Sequence, residues 1–370
     1  MAKIGFVLDD SLDKTDGVQQ YILTLGQWMR HQGHEVHYLV GHTERDDIPH
    51  IHSLSRNIQM HFNQNRMSTP LPASKKAIRE LLDREQFDAL HVQMPYSPFM
   101  AGRVIKAAPK TTKIIGTFHI IPFSWVEKLA TRLLGLILWN TLRRFDAIYS
   151  VSEPARRFAK RSFGVKSTVL PNVVNASAFH AGRHIRKYDD GKITIVFLGR
   201  LVSRKGCMYL LQALESLHQK HLLTNVRVLI CGKGQLLPEL EAYVHDHHLS
   251  TIVHFVGFVS EEDKPHYLAT ADIAVFPSTG GESFGIVLIE AMAAGSGVVL
   301  GGNNIGYASV LHDRPELLID PIDTAAFAKT LKHFITSRRA RQSAKKWQQE
   351  HVKQYDVAVV GKILLEHYEK

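Results

Sequence analysis

Cysteine is almost absent from this 370-residue chain: Cys207 and Cys231 are the only two, each inside an apolar stretch and neither in a Cys-x-x-Cys unit. That excludes a disulfide-stapled scaffold and a zinc ribbon, and it suits reduced thiols in a cytoplasm. Long apolar runs are also missing. The longest, residues 133–139, falls far short of the roughly 20 residues that span a bilayer. No apolar run ahead of a cleavage site follows Met1, so neither a membrane span nor a signal peptide is expected. Alternating Asp-x-Asp pairs are lacking, since Asp9-Asp10 and Asp46-Asp47 are adjacent. Without such a pair at a strand end to hold a divalent ion, the chemistry is expected to need no metal. Aromatic strings of the RNA-binding kind, zinc fingers and helix-turn-helix patterns are absent too, which argues against nucleic acid as a partner.

What is present is an ordinary globular composition, 45% hydrophobic, with a net charge of +10. The length suffices for two domains, each with its own core. The charge calls for an anionic partner such as a nucleoside diphosphate or an acidic lipid headgroup. The 22 histidines are scattered. His31, His34 and His37 resemble a ladder until Gly33 breaks the helix between them. His245, His247 and His248 share no helix face, so no metal-ligating set is expected.

The chain opens with a strand over residues 3–8, a polar loop over 9–17, and a helix whose stripe is Val18, Ile22, Leu25 and Met29. The same pattern restarts near residue 192. There, an apolar strand over 192–198 is followed by a polar loop over 199–206 and a helix marked by Met208, Leu211 and Leu214. The restart predicts an α/β protein of two doubly wound, Rossmann-like units. Further strands are expected at 34–40, 88–92, 113–118 and 146–151, and then at 225–231, 252–256, 272–276 and 297–300. Ligands of such sheets bind outside the carboxyl ends of the strands, which predicts a cleft between the halves. Residues 171–191, polar and containing Asn172, Asn175 and Asp189-Asp190, read as the linker.

Residues 280–295, GGESFGIVLIEAMAAG, carry most of the functional information. Glu282 and Glu290 stand eight positions apart, roughly 12 Å along a helix axis. That is too far for a retaining glycosidase pair and wide even for an inverting one, but it suits gripping two ends of an elongated ligand. The N–H groups of Ser283, Phe284, Gly285 and Ile286 are expected at the helix N-terminus, where anions settle. In the loop after the strand at 192–198, Arg200 and Lys205 are candidates to stabilise a departing diphosphate. Gly232 and Gly234, after another strand, permit close backbone approach to a nucleotide. In the first half, Gly17 opens a helix after a loop, offering positive φ and phosphate access. His119 ends a strand, where it is expected to project into the cleft. Lys75, Lys76 and Arg79 concentrate charge beside Ile78, Leu81 and Leu82, and with Trp125 they are candidates for an anionic membrane surface.

In order along the chain, residues 3–36, FDALHVQMPYSP, GTFH, PNVV, GRLVSRKG, CGKG, FVGFV and GGESFGIVLIEAMAAG follow a pattern that resembles the family-four glycosyltransferases. These are retaining enzymes of GT-B fold, and the likeness is strongest to members that mannosylate an inositol lipid. The resemblance implies an N-terminal acceptor-side domain over 1–172 and a donor nucleotide-sugar-binding domain over 173–356. It further implies a terminal helix over 357–370 returning to the first domain. It also implies a GDP-mannose donor, a lipid or glycan acceptor, and a cytoplasmic enzyme peripheral to the inner face of a membrane. Under it, Gly17 faces the diphosphate, Arg200 and Lys205 neutralise it, Glu282 contacts sugar hydroxyls, Glu290 holds the ribose and His119 lies by the reacting sugar. Asp13 falls on the acceptor side. Asp16 stands where the family has the first glycine of a pair, and Ser124 where the mannosyltransferases carry a basic residue. Two other readings fit the residues. One is a UDP-sugar-dependent glucosyl- or galactosyltransferase with a soluble or polysaccharide acceptor. The other is a nucleotide-sugar-binding scaffold, disfavoured by the intact Arg200, Lys205, Glu282 and Glu290.

Overall fold

The computed structural model describes all residues except 15, 63, 64, 72, 121–124 and 370; the side chains of 58–62, 65–70, 125–130, 132 and 133 also lie outside the described set. The chain divides into two compact units, Met1–Val173 with Val357–Lys370, and Val174–Asp356. The first boundary lies one residue beyond the expected one. Most of the segment read as a linker belongs to the second unit, where Asn175 caps the short helix Ala176–His180 by accepting from the Ala178 N–H at 3.1 Å.

The first unit contains β1 (Lys3–Leu8), β2 (Glu35–Val40), β3 (Ile51–Ser53), a hairpin of β4 (Asn57–Phe62) and β5 (Asn65–Pro70), β6 (Ala89–Gln93), β7 (Lys113–Phe118), β8 (Ala147–Ser150) and β9 (Thr168–Val169). Its parallel sheet runs β3-β2-β1-β6-β7-β8-β9. Helices α1 (Gly17–His31), α2 (Lys75–Glu85), α3 (Met100–Ala107), α4 (Trp125–Leu142) and α5 (Glu153–Phe163) alternate with the strands. The strands are apolar along most of their length because both faces are covered. One face packs Phe6, Val36 and Tyr38 against Ile22, Leu25 and Met29 of α1. The other packs Val7, Leu39 and Leu90 against Ile78, Leu81, Leu82, Val104 and Ile105. The terminal helix, Val357–Tyr368, joins the α1 face: Tyr368 is buried and its hydroxyl lies 2.6 Å from Nδ1 of His91.

The second unit holds β10 (Ile193–Leu198), β11 (Val226–Cys231), β12 (Val253–Gly257), β13 (Ile273–Phe276), β14 (Val298–Gly302) and β15 (Leu318–Ile319). They form one parallel sheet in the order β12-β11-β10-β13-β14-β15. Helices α6 (Ala176–His180), α7 (Cys207–His218), α8 (Leu237–Asp246), α9 (Lys264–Thr270), α10 (Ile286–Ala293), α11 (Ile305–Leu311), α12 (Thr324–Thr336) and α13 (Arg338–His351) accompany it, and Val357–Tyr368 of the first unit is α14. The strands missing from the sequence reading are short, like β3, β9 and β15, polar, like β5 with its sequence NRMSTP, or apolar only at alternate positions, like β4 with NIQMHF. None carries a long apolar run.

Candidate functional site

In the second unit the strand order reverses between β10 and β13, the place where open α/β sheets bind ligands at their carboxyl edge. The loops leaving these strands and their neighbours are laced together by hydrogen bonds. Leu201 N–H donates to Lys233 O at 2.9 Å and Thr279 N–H to Arg204 O at 2.9 Å, while the Asn304 amide donates to Ser278 O at 2.9 Å. Gly206, at φ 75°, ends the 3₁₀ turn Ser203–Lys205 and begins α7; a Cβ there would collide with the Pro277 carbonyl. Glycine is thus required both for the left-handed conformation and for the closeness of the two loops.

This scaffold brings two charged stretches, 78 residues apart in sequence, into contact. Oε1 of Glu282 accepts from Arg204 at 2.7 Å, Lys205 Nζ at 2.8 Å and the Ser278 hydroxyl at 2.9 Å. All three charged side chains are only 14–20% exposed. Burial alone would raise the Glu282 pKa, but Lys205 and Arg204 overcome it and hold the carboxyl below its ordinary value. The Lys205 ammonium is lowered by burial and by the guanidiniums of Arg204 and Arg200, against the opposing pull of Glu282. A further anion here would favour the charged ammonium. Lys205, Glu282 and Arg200, picked from the sequence, therefore share one neighbourhood. Arg204 was seen only as part of the basic run, because its partner lies in a distant loop.

Glu290 keeps a different company. On α10 it is 4% exposed and accepts from Lys264 Nζ at 3.1 Å; Lys264 also pairs with Glu261 at 2.6 Å. Burial, with Glu261 nearby, raises the Glu290 pKa against the pull of Lys264, and the two carboxylates keep the shared ammonium charged. No motif marked Lys264, which begins α9 at a position that reads as an ordinary helix start. The structure also corrects the helix itself. Helix α10 starts at Ile286, capped by Gly285 at φ 130°, so Glu282 lies in the preceding loop and a helix-axis spacing does not describe the pair. Ser283 and Phe284 belong to that loop, and the Phe284 ring is buried against Tyr355 at 5.6 Å, a packing role. The first-turn donors are those of Ile286, Val287 and Leu288, the last already bonded to Gly285 O at 3.0 Å. Gly232, at φ 156°, and Gly234 lie against the Gly199 and Leu201 carbonyls, packing the β10 and β11 loops together.

In the first unit, His119 follows β7 but does not project into the open: it is 3% exposed, with Nε2 2.6 Å from Gln93 Oε1 and its ring edge-on to Tyr21 at 4.8 Å. Burial pushes its pKa down to about 3, so the imidazole is neutral. Gly17 is the first residue of α1 and is not among the residues of positive φ, so any role it has comes from its lack of a side chain. The Asp13 carboxylate accepts from Ser11, from Thr43 at 2.5 Å and from the Glu44 N–H at 2.8 Å, which holds the loop after β2. On α2, Lys75, Lys76 and Arg79 are exposed, whereas Ile78, Leu81 and Leu82 face the core. The Trp125 side chain and Ser124 lie outside the described residues.

The structure also groups histidines that the sequence ladder did not connect. His37 Nδ1 lies 2.9 Å from His52 Nε2, and His37 Nε2 2.8 Å from Glu35 Oε1, with Glu85 close by. Lys3 Nζ stands 3.0 Å from Glu35 and 3.3 Å from Glu85, so an ammonium already occupies the cation position between the carboxylates. Among the described residues no helix is long and apolar enough to cross a membrane.

Residues 15–178 match the model described as Glycosyltransferase Family 4, and residues 182–351 the one described as Glycosyl transferases group 1. A phosphatidyl-myo-inositol mannosyltransferase of Mycolicibacterium smegmatis is 30% identical over 99% of this chain and 93% of its own. Among solved structures, a glycosyltransferase from Rickettsia africae superposes with a TM-score of 0.78 at 17% identity, covering 100% of this chain and 98% of the other. The Anabaena protein Alr3699/HepE in complex with UDP gives 0.75 at 16% identity, with both chains fully covered. At such identities these two show the fold, which is GT-B.

Proposed function

The chain belongs to the family-four glycosyltransferases, in the group that includes the phosphatidyl-myo-inositol mannosyltransferases, and from that premise we propose that it moves mannose from GDP-mannose to an inositol-lipid acceptor, with retention of configuration and without a metal. The enzyme is a hexosyltransferase that uses a nucleotide-sugar donor. The second unit is the donor-binding one in this reading, and the first the acceptor side. The observation that carries it is the Arg204–Lys205–Glu282 cluster at the second unit's switch point. In the reaction the bond between the anomeric carbon and the diphosphate oxygen breaks, and a bond to an acceptor hydroxyl oxygen forms. The hydroxyl proton leaves with the nucleoside diphosphate or to solvent. Negative charge grows on the departing diphosphate, so fixed cations at Arg200 and Lys205 stabilise the transition state more than the ground state. Lys205 can exchange its Glu282 contact for a phosphate oxygen, which frees the carboxylate to accept from sugar hydroxyls. Glu290, held by Lys264, is the acceptor for the ribose.

Calorimetric titration with GDP, UDP and ADP tests the donor, and transfer of labelled mannose from GDP-mannose to phosphatidylinositol vesicles tests the reaction. Preference for GDP with mannolipid formation is expected. Preference for UDP, with no transfer from GDP-mannose, would overturn the donor assignment in favour of a UDP-sugar enzyme.

A further inference from the structure

Helix α4 shows an apolar face to solvent. Leu136 and Ile137 are 77% and 75% exposed, and Trp139 is 52% exposed. The orientation of the helix is fixed from behind. Leu138 and Leu142 are buried with Phe118, Phe158 and Phe163. At Gly135 an added Cβ would stand only 2.5 Å from the Ser162 carbonyl of α5. With that side pressed against α5, Leu136, Ile137, Trp139, Asn140 and Arg143 form the outward arc at helical spacing. Three adjacent large apolar side chains on one exposed arc mark an interaction surface rather than scattered exposure.

The surroundings of this arc are basic. The Arg143 guanidinium lies over the Trp139 ring, 5.9 Å from its centroid, and Trp139 leans toward Gly164 at the end of α5. Lys160, Arg161 and Lys166 are exposed on and just beyond α5. From 143 to 166 the chain carries seven basic residues against two acidic ones. Helices α2, α3, α4 and α5 pack side by side along one face of the sheet, so the exposed cations Lys75, Lys76 and Arg79 of α2 belong to the same layer. Helix α2 itself offers charge without apolar surface, because Ile78, Leu81 and Leu82 are spent on the core.

We propose that the Leu136–Ile137–Trp139 face of α4 inserts into the interfacial region of an anionic bilayer, flanked by the cations of α5 and assisted electrostatically by those of α2. The commitment to a bilayer rests on charge complementarity. A second copy would bring the same cations face to face, whereas an acidic leaflet attracts them, and Trp and Arg favour the headgroup level. The inference deepens the lipid-acceptor reading, on which it rests, by giving the enzyme a membrane-docking surface. Docking of this kind is reversible and needs no spanning helix.

Co-sedimentation of the full chain with vesicles of phosphatidylcholine, alone or mixed with phosphatidylglycerol, tests it without turnover. Binding is expected only with the anionic lipid. The double variant Leu136→Ser/Ile137→Ser should bind at least about tenfold more weakly, since two large side chains no longer leave water. Brominated lipid should quench the wild-type fluorescence, and Trp139→Phe should lose most of that quenching. Exposed sites should leave thermal unfolding unchanged, which separates lost binding from lost folding. Unchanged vesicle affinity in the double variant would overturn the proposal, as would quenching that survives Trp139→Phe. A lipid-free dimer that the double variant turns into a monomer in sedimentation velocity would do the same. Failure of mannosyl transfer with vesicle binding intact would count against the lipid-acceptor reading alone.

Discussion

The two units wind their strands about equivalent switch points, between β1 and β6 in the first and between β10 and β13 in the second, and furnish them with opposite chemistry. At the first, the Asp9 carboxylate is bonded to Ser97 and to the Ala101 N–H at the start of α3, and burial raises its pKa to about 6. Nearby groups are neutral and buried: Gln93 and His119 at the ends of β6 and β7, and Tyr21 on α1. At the second, a carboxylate, an ammonium and a guanidinium meet within ordinary ion-pair distance. The shared winding supplies a place where loops diverge, and the residues on those loops decide what the place can hold. Under the proposed reading the second arrangement holds the diphosphate. Neutral hydrogen-bonding groups suit hydroxyl-bearing ligands.

The largest effect that could break this contrast is expected at the buried ion pair of the second unit. Removing one partner of such a pair typically costs 3–5 kcal/mol, roughly what Lys264→Met should cost, because it leaves the Glu290 charge uncompensated. Lys264→Met/Glu290→Leu should recover most of that loss in denaturant unfolding. If the double variant is as unstable as the sum of the single ones, the pair is not coupled and the charged character of this unit is overstated. Next in size are the cations proposed to face the diphosphate. Lys205→Ala and Arg200→Ala should each lower kcat by roughly 10²-fold, the scale for removing a preorganised charge. Single-turnover rates near wild type would remove them from the chemical step.

The first unit makes a smaller, pH-dependent prediction. Burial pushes His91 and His119 down to about 3, well below the ordinary imidazole value. In the window between about 3 and about 6.5 the unfolded chain binds protons that the folded chain refuses. Their contribution is therefore fully present above about pH 6.5 and is lost as the pH falls through that window, by roughly 1 kcal/mol per histidine at about pH 5.5. Thermal unfolding between about pH 7.5 and pH 5.5 should show this loss, and His91→Gln should reduce it. A pH profile identical in the variant would mean that His91 is not held neutral.

Legibility in the sequence follows the same line. The alternation of apolar strands with helices was plain, because strands covered on both faces are hydrophobic along their length, and most strand positions followed from it. The loop motifs GRLVSRKG and GGESFGIVLIEAMAAG were legible because their residues are contiguous. The Arg204–Glu282 contact was not, since it depends on how two distant loops pack. Lys264 was invisible for the same reason. At α2 the spacing of Ile78, Leu81 and Leu82 revealed an apolar stripe, but spacing cannot say whether a core or a bilayer covers it. At α4 the apolar run was evident and its outward face was not, because that depends on the close approach to α5 at Gly135.

The smallest expected effect concerns metal, and it sharpens the comparison from both sides. In the second unit Arg200 and Lys205 are proposed to offset diphosphate charge, the task a divalent ion performs where acidic ligands hold one. In the first unit the one group of described residues that could ligate a metal is His37, His52 and Glu85. There, the two ring nitrogens of His37 link His52 and Glu35 in one hydrogen-bonded chain, while the Lys3 ammonium lies 3.3 Å from Glu85. A divalent ion would have to displace that ammonium and break the chain. Excess EDTA is therefore expected to leave both kcat and the unfolding temperature unchanged within error. Loss of activity to EDTA with rescue by magnesium would place a metal at the donor. A fall in unfolding temperature reversed by zinc would instead place one at His37 and His52, and the two outcomes are separable because His52→Ala abolishes only the second.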